Sequence, residues 1–218
     1  MTDFAPPPPL VEPTPRRIRV RRNDRVIADS TRALLLIRYG PQGMPTYYLP
    51  RADVRPEGLA GAEETDAFPE LAGHVTFSWD THQWWEEDEE VFVHARSPYH
   101  RVDVLPSSRR VEVFAGGEKV ADSVRPYLLF ETHLPTRYYL PFADVRTDRL
   151  TASETVTRCP YKGVARYWSH PAVPDVAWSY AEPLAEIPRI RGLLSFYNER
   201  VDIVLDGAPV DRPHTPFD

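Results

Sequence analysis

The chain has 218 residues, and its 26 basic and 32 acidic side chains give a net charge of −6. This balance excludes the clustered basic surface that nucleic-acid binding requires, so no nucleic acid is expected as a partner. The single cysteine excludes an intramolecular disulfide and any multi-cysteine zinc site. No apolar run has the length that spans a membrane, and the first residues lack the basic and apolar segments of a secretory signal. We therefore expect a cytoplasmic protein without membrane partners.

The chain begins with a proline-rich tail, residues 1–15, and then repeats itself. The stretch from Phe4 to Pro15 favours an extended polyproline II conformation. Residues 16–106 form a first repeat and residues 107–207 a second, followed by a proline-containing tail over 208–218. Three ordered blocks carry the repeat: Arg16–Ser30 returns as Arg109–Ser123, Tyr47–Arg55 as Tyr138–Arg146, and Arg101–Val104 as Arg200–Ile203. The duplication predicts two tandem domains that pack into one pseudo-symmetric unit.

Short β signals recur within each repeat. Alternating apolar residues such as Ile18 and Val20 indicate half-buried strands, and the pairs Asn23-Asp24 and Gly116-Gly117 lie where hairpin turns are expected. The best helical candidate runs from Asp80 to Glu90, because Asp80 can cap it and tryptophans follow at helical spacing. The 24 prolines disfavour long helices. The sequence therefore predicts a mainly β protein of small antiparallel sheets with few short helices.

The second repeat carries an ordered set of motifs. They are the hairpin segment Val113–Ser123, the strand Tyr138–Pro141, the segment Thr157–Gly163 containing Cys-Pro-Tyr-Lys-Gly, the segments Trp168–Ser169 and Asp175–Tyr180, and Gly192–Asp202. In this order they resemble domain-of-unknown-function family 427 (DUF427), and the first repeat resembles the same family with a degenerate motif. The resemblance implies a β-tent-like fold in each repeat, in which two small antiparallel sheets lean together. Many β-tent proteins hold zinc with paired Cys-x-x-Cys motifs, which are missing here, so neither a metal nor another cofactor is expected.

The Cys-Pro-Tyr-Lys-Gly motif offers candidate catalytic residues, Cys159 and Lys162. Pro160 restricts the backbone after the thiol and Gly163 permits unusual backbone angles, so the two side chains can face one pocket. An adjacent ammonium would favour the reactive thiolate. In the alternative interpretation, Cys159 is a small buried apolar residue and Lys162 holds a loop through hydrogen bonds.

Aromatic residues are dense in the second repeat, and their apolar bodies with polar tips suit a ligand pocket. Ordinary core packing is the alternative, because strand alternation buries half of them in any case. The candidate ligand-binding residues are Tyr138, Tyr139, Tyr161, Trp168, Trp178 and Tyr180, with His133 and Arg137 beside them. His100 with Asp103 is a weaker acid–base candidate, and the histidines show no spacing typical of metal ligands.

The sequence most favours a protein that binds a small organic ligand in the second repeat, with a homodimer as a possible assembly. An enzyme using Cys159 on a carbonyl- or nucleotide-like substrate is the first alternative, and a structural adaptor is the second. Alignment places Phe68-Pro69 opposite Cys159-Pro160 and Gly73 near Gly163, which predicts a site in the second repeat only. On this interpretation, Lys162→Ala and Trp178→Ala abolish binding with little loss of stability.

Overall fold

A computed structural model describes residues 7–40 and 43–215 of the chain. The chain divides into two compact units, Met1–Pro98 and Tyr99–Asp218. The named strands of both units pair antiparallel, and the helices given for the described residues are short 3-10 turns. The prediction of a mainly β protein with two tandem domains is therefore confirmed. Among the described residues, no helix has both the length and the apolar character needed to cross a membrane.

The first unit contains two four-stranded sheets, with strand orders β1-β4-β5-β6 and β3-β2-β7-β8. Its strands are β1 (Leu10–Pro13), β2 (Ile18–Arg22), β3 (Arg25–Ser30), β4 (Leu34–Ile37), β5 (Thr46–Pro50), β6 (His74–Val75), β7 (Gln83–Glu86) and β8 (Glu89–Val91). Ile18 and Val20 are fully buried while Arg19 between them is only partly buried, as the alternating pattern predicts. These residues join Leu35, Leu49 and others in the core of this unit.

The second unit contains a seven-stranded sheet, of order β14-β15-β16-β17-β13-β12-β9, and a four-stranded sheet, of order β11-β10-β18-β19. Its strands are β9 (Val102–Pro106), β10 (Val111–Ala115), β11 (Glu118–Ser123), β12 (Tyr127–Glu131), β13 (Arg137–Pro141), β14 (Thr151–Cys159), β15 (Gly163–His170), β16 (Val173–Ser179), β17 (Leu193–Phe196), β18 (Asp202–Leu205) and β19 (Ala208–Val210). The larger sheet packs apolar side chains on both of its faces, in two separate core clusters.

The repeated sequence blocks have the same structural role in both units. In the first unit the hydroxyl of Ser30 donates a hydrogen bond of 2.7 Å to Asp53, which also pairs with Arg32. In the second unit Ser123 donates to Asp144 at 2.8 Å, and Arg125 pairs with the same carboxylate. Each interaction ties a hairpin strand to the 3-10 turn that follows the Tyr-Tyr strand. These repeated residues therefore stabilise the fold and do not mark a site.

The two units differ by a meander of β14, β15 and β16 in the second unit, of which the described part of the first unit keeps only the isolated bridge Glu63–Thr76 at the position of Trp178–Ser195. In the first unit, β5 pairs directly with β6 at Leu49–Val75, as β13 pairs with β17 at Leu140–Leu194. The 3-10 turn before β6 starts at Pro69 and leads to Gly73 (φ 75°); its counterpart starts at Pro188 and leads to Gly192 (φ 63°).

Phe68-Pro69 therefore corresponds to Ile187-Pro188, and the predicted match with Cys159-Pro160 is wrong. Gly73 likewise corresponds to Gly192 and not to Gly163. The first unit has no counterpart of the Cys-Pro-Tyr-Lys-Gly turn within its described residues, because the strands that carry this turn belong to the insertion. An alignment of the two repeats that allows no gap for β14 to β16 cannot match these residues correctly.

The segment Asp80–Glu90 forms a β-hairpin, so the predicted helix is wrong. β7 and β8 pair antiparallel across a turn in which Glu87 has a φ of 50°. Burial alternates with a period of two, because Trp84 and Glu86 face inward. Trp84 stacks on Trp79 at 4.7 Å between ring centroids, and Glu86 accepts a hydrogen bond of 2.7 Å from the Tyr47 hydroxyl. These tertiary contacts outweigh the local capping signal.

Both proline-rich tails contribute strands at their inner ends, which the sequence did not predict. β1 lies within the first tail and pairs with β4, while residues 1–6 lie outside the described residues. β19 lies within the second tail and pairs with β18. β9 belongs to the second unit, where it pairs with β12 as β1 pairs with β4. The predicted repeat of Arg101–Val104 in Arg200–Ile203 is therefore not a structural equivalence, because Asp202 and Ile203 belong to β18, which pairs with β10 and not with β12.

Candidate functional site

The candidate site of the second unit centres on the tight turn between β14 and β15. Cys159 and Gly163 are paired across the two strands, and the backbone N–H of Lys162 donates to the Cys159 carbonyl at 3.3 Å. Gly163 has a φ of 100°, and a Cβ atom at this position would lie 3.2 Å from the Glu182 carbonyl oxygen. Glycine is therefore required here both for its backbone angles and for the close approach of the neighbouring loop.

A buried charge cluster, which consists of His100, Glu131 and Lys162, lies against this turn. The Lys162 ammonium donates to Glu131 Oε1 at 2.5 Å and also contacts Oε2. His100 Nε2 lies 3.0 Å from Glu131 Oε1, and a carboxylate only accepts, so Nε2 carries the hydrogen. The three side chains are 5% to 11% exposed, which leaves the cluster almost without solvent. The Tyr161 ring stacks on His100 at 4.0 Å and is half-buried.

The cluster keeps a carboxylate ionised in a buried position. Burial by itself raises the pKa of Glu131, but the charge of Lys162 and the hydrogen bonds from His100 and Lys162 outweigh it. The result is a pKa lowered from 4.5 to about 2. Glu131 is therefore an anion at neutral pH, and its charge is balanced within the cluster by Lys162.

The predicted aromatic residues divide between the two faces of the large sheet. Tyr139, Trp178 and Tyr180 share one core cluster, in which the Trp178 indole donates to the Tyr139 hydroxyl at 3.0 Å. Burial raises the pKa of Tyr139 and that of Tyr180 well above their ordinary value. Tyr138 and Trp168 belong to the core cluster of the opposite face. The six aromatic residues therefore do not form one pocket.

Arg137 and His133 also lie apart from the turn in their described contacts. The buried guanidinium of Arg137 pairs with Glu199 at 2.6 Å and lies 5.5 Å from the centre of the Trp178 ring. His133 occupies the connection between β12 and β13 with a φ of 65°. Arg137 thus lies beside Trp178, another of the predicted ligand-binding residues.

The structure thus brings together Cys159, Tyr161 and Lys162 from the motif with two residues that the sequence interpretation missed or paired differently. Glu131 was missed, although it ends an apolar run and lies two residues after the fully buried Leu129, a spacing that places both on one face of β12. His100 was matched with Asp103, but it contacts Glu131 instead, and Asp103 pairs with Arg101 at 2.8 Å.

Two observations change the effect on stability that is expected from substitutions at Lys162 and Trp178. The described hydrogen bonds of the Lys162 ammonium go to Glu131, which is the loop-holding role considered above as the alternative. Trp178 is only 7% exposed and packs in the core. Replacing either residue by alanine will therefore cost stability, contrary to the expectation of little loss.

Comparison with known proteins identifies one family. Residues 10–80 and 103–207 match a family described as "Domain of unknown function (DUF427)", so each unit contains one matched segment. No curated protein matches the chain. In the described residues, no group of three or more His, Cys, Asp or Glu side chains is arranged to hold a metal ion.

Proposed function

The chain belongs to the DUF427 family, whose description gives no activity, and we propose from the geometry of the site that the second unit binds a small organic ligand at the Cys159–Gly163 turn. The ligand contacts the half-buried Tyr161 ring and the partly buried Cys159, above the charge cluster of His100, Glu131 and Lys162. A flat molecule with a polar edge suits this surface, because Tyr161 offers an aromatic face beside charged and hydrogen-bonding groups.

One observation carries this proposal: three ionisable side chains are buried together beneath one short turn. A buried ion pair is weak as a source of stability, since well-packed apolar side chains of similar size serve equally well or better. Buried groups with a strongly shifted pKa are instead concentrated at functional sites. The lowered pKa of Glu131 meets this criterion.

The enzymatic alternative, with Cys159 as the nucleophile, needs a cation beside the thiol. The described contacts of the Lys162 ammonium are with Glu131, so the geometry favours binding over nucleophilic catalysis. Iodoacetamide labelling separates the two, because the chain has only one cysteine and intact mass reports its modification. Labelling at about pH 6 as rapid as at about pH 9 would support the enzyme. The proposal also includes a bacterial, cytoplasmic setting, which agrees with the single cysteine and the arginine-dominated basic residues.

A ligand-observed fluorine NMR fragment screen on the full chain tests the proposal. Fragments that bind the wild type should lose binding to Tyr161→Ala, which removes the half-buried ring that stacks on His100 and leaves Lys162 and Glu131 in place. Lys119→Met is a control for a surface substitution, because Lys119 pairs with Glu112 on the surface. A screen in which every fragment binds Tyr161→Ala as well as it binds the wild type would contradict the proposal.

A further inference from the structure

The first unit contains a cavity of about 220 Å³ lined by residues of β5 and by residues that follow β6. In the second unit the corresponding strands, β13 and β17, continue into the meander. The two units have the same framework here. The register of β4 with β5 matches that of β12 with β13. Tyr48 therefore corresponds to Tyr139, and Thr46 corresponds to Arg137. The cavity walls include Arg38, Thr46, Tyr48, Glu63, Thr76, Trp79 and His94.

At two positions of this shared framework the first unit carries residues that differ in size or charge from those of the second. Trp178 pairs with Ser195 on β17, and in the first unit Glu63 pairs with Thr76 at the corresponding place. Glu63 therefore occupies the position of Trp178. Arg38, directly after β4, occupies the position of Glu131, which is the last residue of β12. An indole that packs in the core is therefore replaced by an exposed carboxylate, and the buried anion is replaced by a cation.

The cavity presents two opposite charges that do not neutralise each other. Arg38 and Glu63 both line it, and among the described residues neither has an ion pair. The Nε atom of Arg38 is buried and has no hydrogen-bond partner within the described ranges 7–40 and 43–215. A bound molecule that carries both charges would satisfy the two side chains together.

Polar groups deeper in the cavity are already oriented by a hydrogen-bond chain. The Trp79 indole donates to Thr46 Oγ1 at 2.8 Å, and this hydroxyl lies 3.3 Å from Thr76 Oγ1. His94 Nδ1 lies 2.8 Å from the Ala95 carbonyl, which can only accept, so Nδ1 carries a hydrogen.

The backbone at the rim of the cavity is strained. Val93 has a φ of 74°, which is rare for a β-branched residue, and the His94 N–H donates across it to the Phe92 carbonyl at 2.9 Å. Strained turns of this kind are concentrated at binding sites, where the surrounding structure holds them. The turn places Val93 and His94 side by side in the cavity wall.

From these observations we infer that the first unit has a ligand site of its own, which binds a small zwitterion: a carboxylate and an amine joined by a compact apolar body. The carboxylate pairs with Arg38, the ammonium pairs with Glu63, and the body lies among Tyr48, Phe77 and Trp79. The volume suits a molecule smaller than the usual drug-sized ligand. This site goes beyond the proposed function, and it departs from the sequence prediction of a site in the second repeat only.

Three probes with one ring test the charge requirement on the full chain: 4-(aminomethyl)benzoate, benzoate and benzylamine. Binding is followed through the indole N–H resonances of the five tryptophans, with that of Trp79 assigned from a Trp79→Phe variant. The zwitterion should shift the Trp79 resonance with an affinity about tenfold higher than that of either singly charged probe. Equal affinities, or the lack of a saturable shift at about 10 mM, would overturn the inference.

Substitutions assign the two charges. Arg38→Met should reduce the affinity for the zwitterion to that for benzylamine, and Glu63→Gln should reduce it to that for benzoate. Arg51→Met and Glu64→Gln are matched controls, because Arg51 and Glu64 pair with each other on the surface and do not line the cavity. Equal losses in variants and controls would overturn the inference. A probe that shifts Trp178 alone would also overturn it, while leaving the second-unit proposal intact.

Discussion

Lys162→Met tests the charge cluster of the second unit most directly. The variant removes the ammonium that contacts Glu131 and keeps a side chain of similar length. Lowering the pKa of Glu131 from 4.5 to about 2 means that the folded state favours the carboxylate. Each pKa unit corresponds to about 1.4 kcal/mol, so the ionised, paired carboxylate contributes about 3 kcal/mol to the free energy of unfolding. We expect Lys162→Met to lose about that amount, in the range known for broken buried pairs.

The loss should depend on pH in a defined direction. A carboxylate with a lowered pKa stabilises the fold above its ordinary pKa of 4.5, and this contribution disappears as the pH falls toward about 2. Urea denaturation of wild type and variant should therefore differ most near pH 7, about 3 kcal/mol, and converge in acid. A cycle with Glu131→Gln should give a coupling energy of at least about 1 kcal/mol.

Lys119→Met is the control, because Lys119 pairs with Glu112 and Asp122 at the surface and should cost less than about 1 kcal/mol. Two results would refute the reasoning. One is a loss for Lys162→Met no larger than that for Lys119→Met. The other is a loss that stays constant from about pH 7 to about pH 3, because the difference would then not come from ionisation of Glu131.

Trp178→Ala should lower the free energy of unfolding by about 3 to 5 kcal/mol in urea denaturation, since the indole is buried in the core; a loss below about 1 kcal/mol would show that it lines an open pocket. Ser30→Ala and Ser123→Ala should each cost about 1 kcal/mol, measured in the same way, because both hydroxyls bind the aspartate of a 3-10 turn; a large effect of only one would show that the units use this contact differently. The melting temperature should not change when EDTA is added, whereas a sharp fall that zinc reverses would reveal a structural metal.

Features that depend on neighbouring residues and on repetition could be predicted without the structure. The duplicated blocks predicted two tandem domains, and the ordered motifs of the second repeat predicted the family; the fold and the comparison confirm both. The hairpin turns were also predictable, since Asn23 and Asp24 have φ values of 49° and 61°, and Gly116 and Gly117 have 58° and 83°. Such turns depend on the local tolerance for positive φ, which residue type reveals directly.

Contacts between residues far apart in the chain became known only from the three-dimensional structure. Lys162 and Glu131 are 31 positions apart, one in the turn between β14 and β15 and the other at the end of β12, so no local spacing relates them. The residue correspondence between the two units also required the structure. β6 and β17 pair with the Tyr-Tyr strands β5 and β13 in the same way, which shows that the meander of β14 to β16 is an insertion. An alignment without a gap at this place misses it. In the second unit this insertion contributes side chains to one of the core clusters, and the first unit, whose described residues contain no such insertion, has a cavity. Burial, charge pairing and cavities are properties of packing between strands, and a pattern along the chain does not contain them.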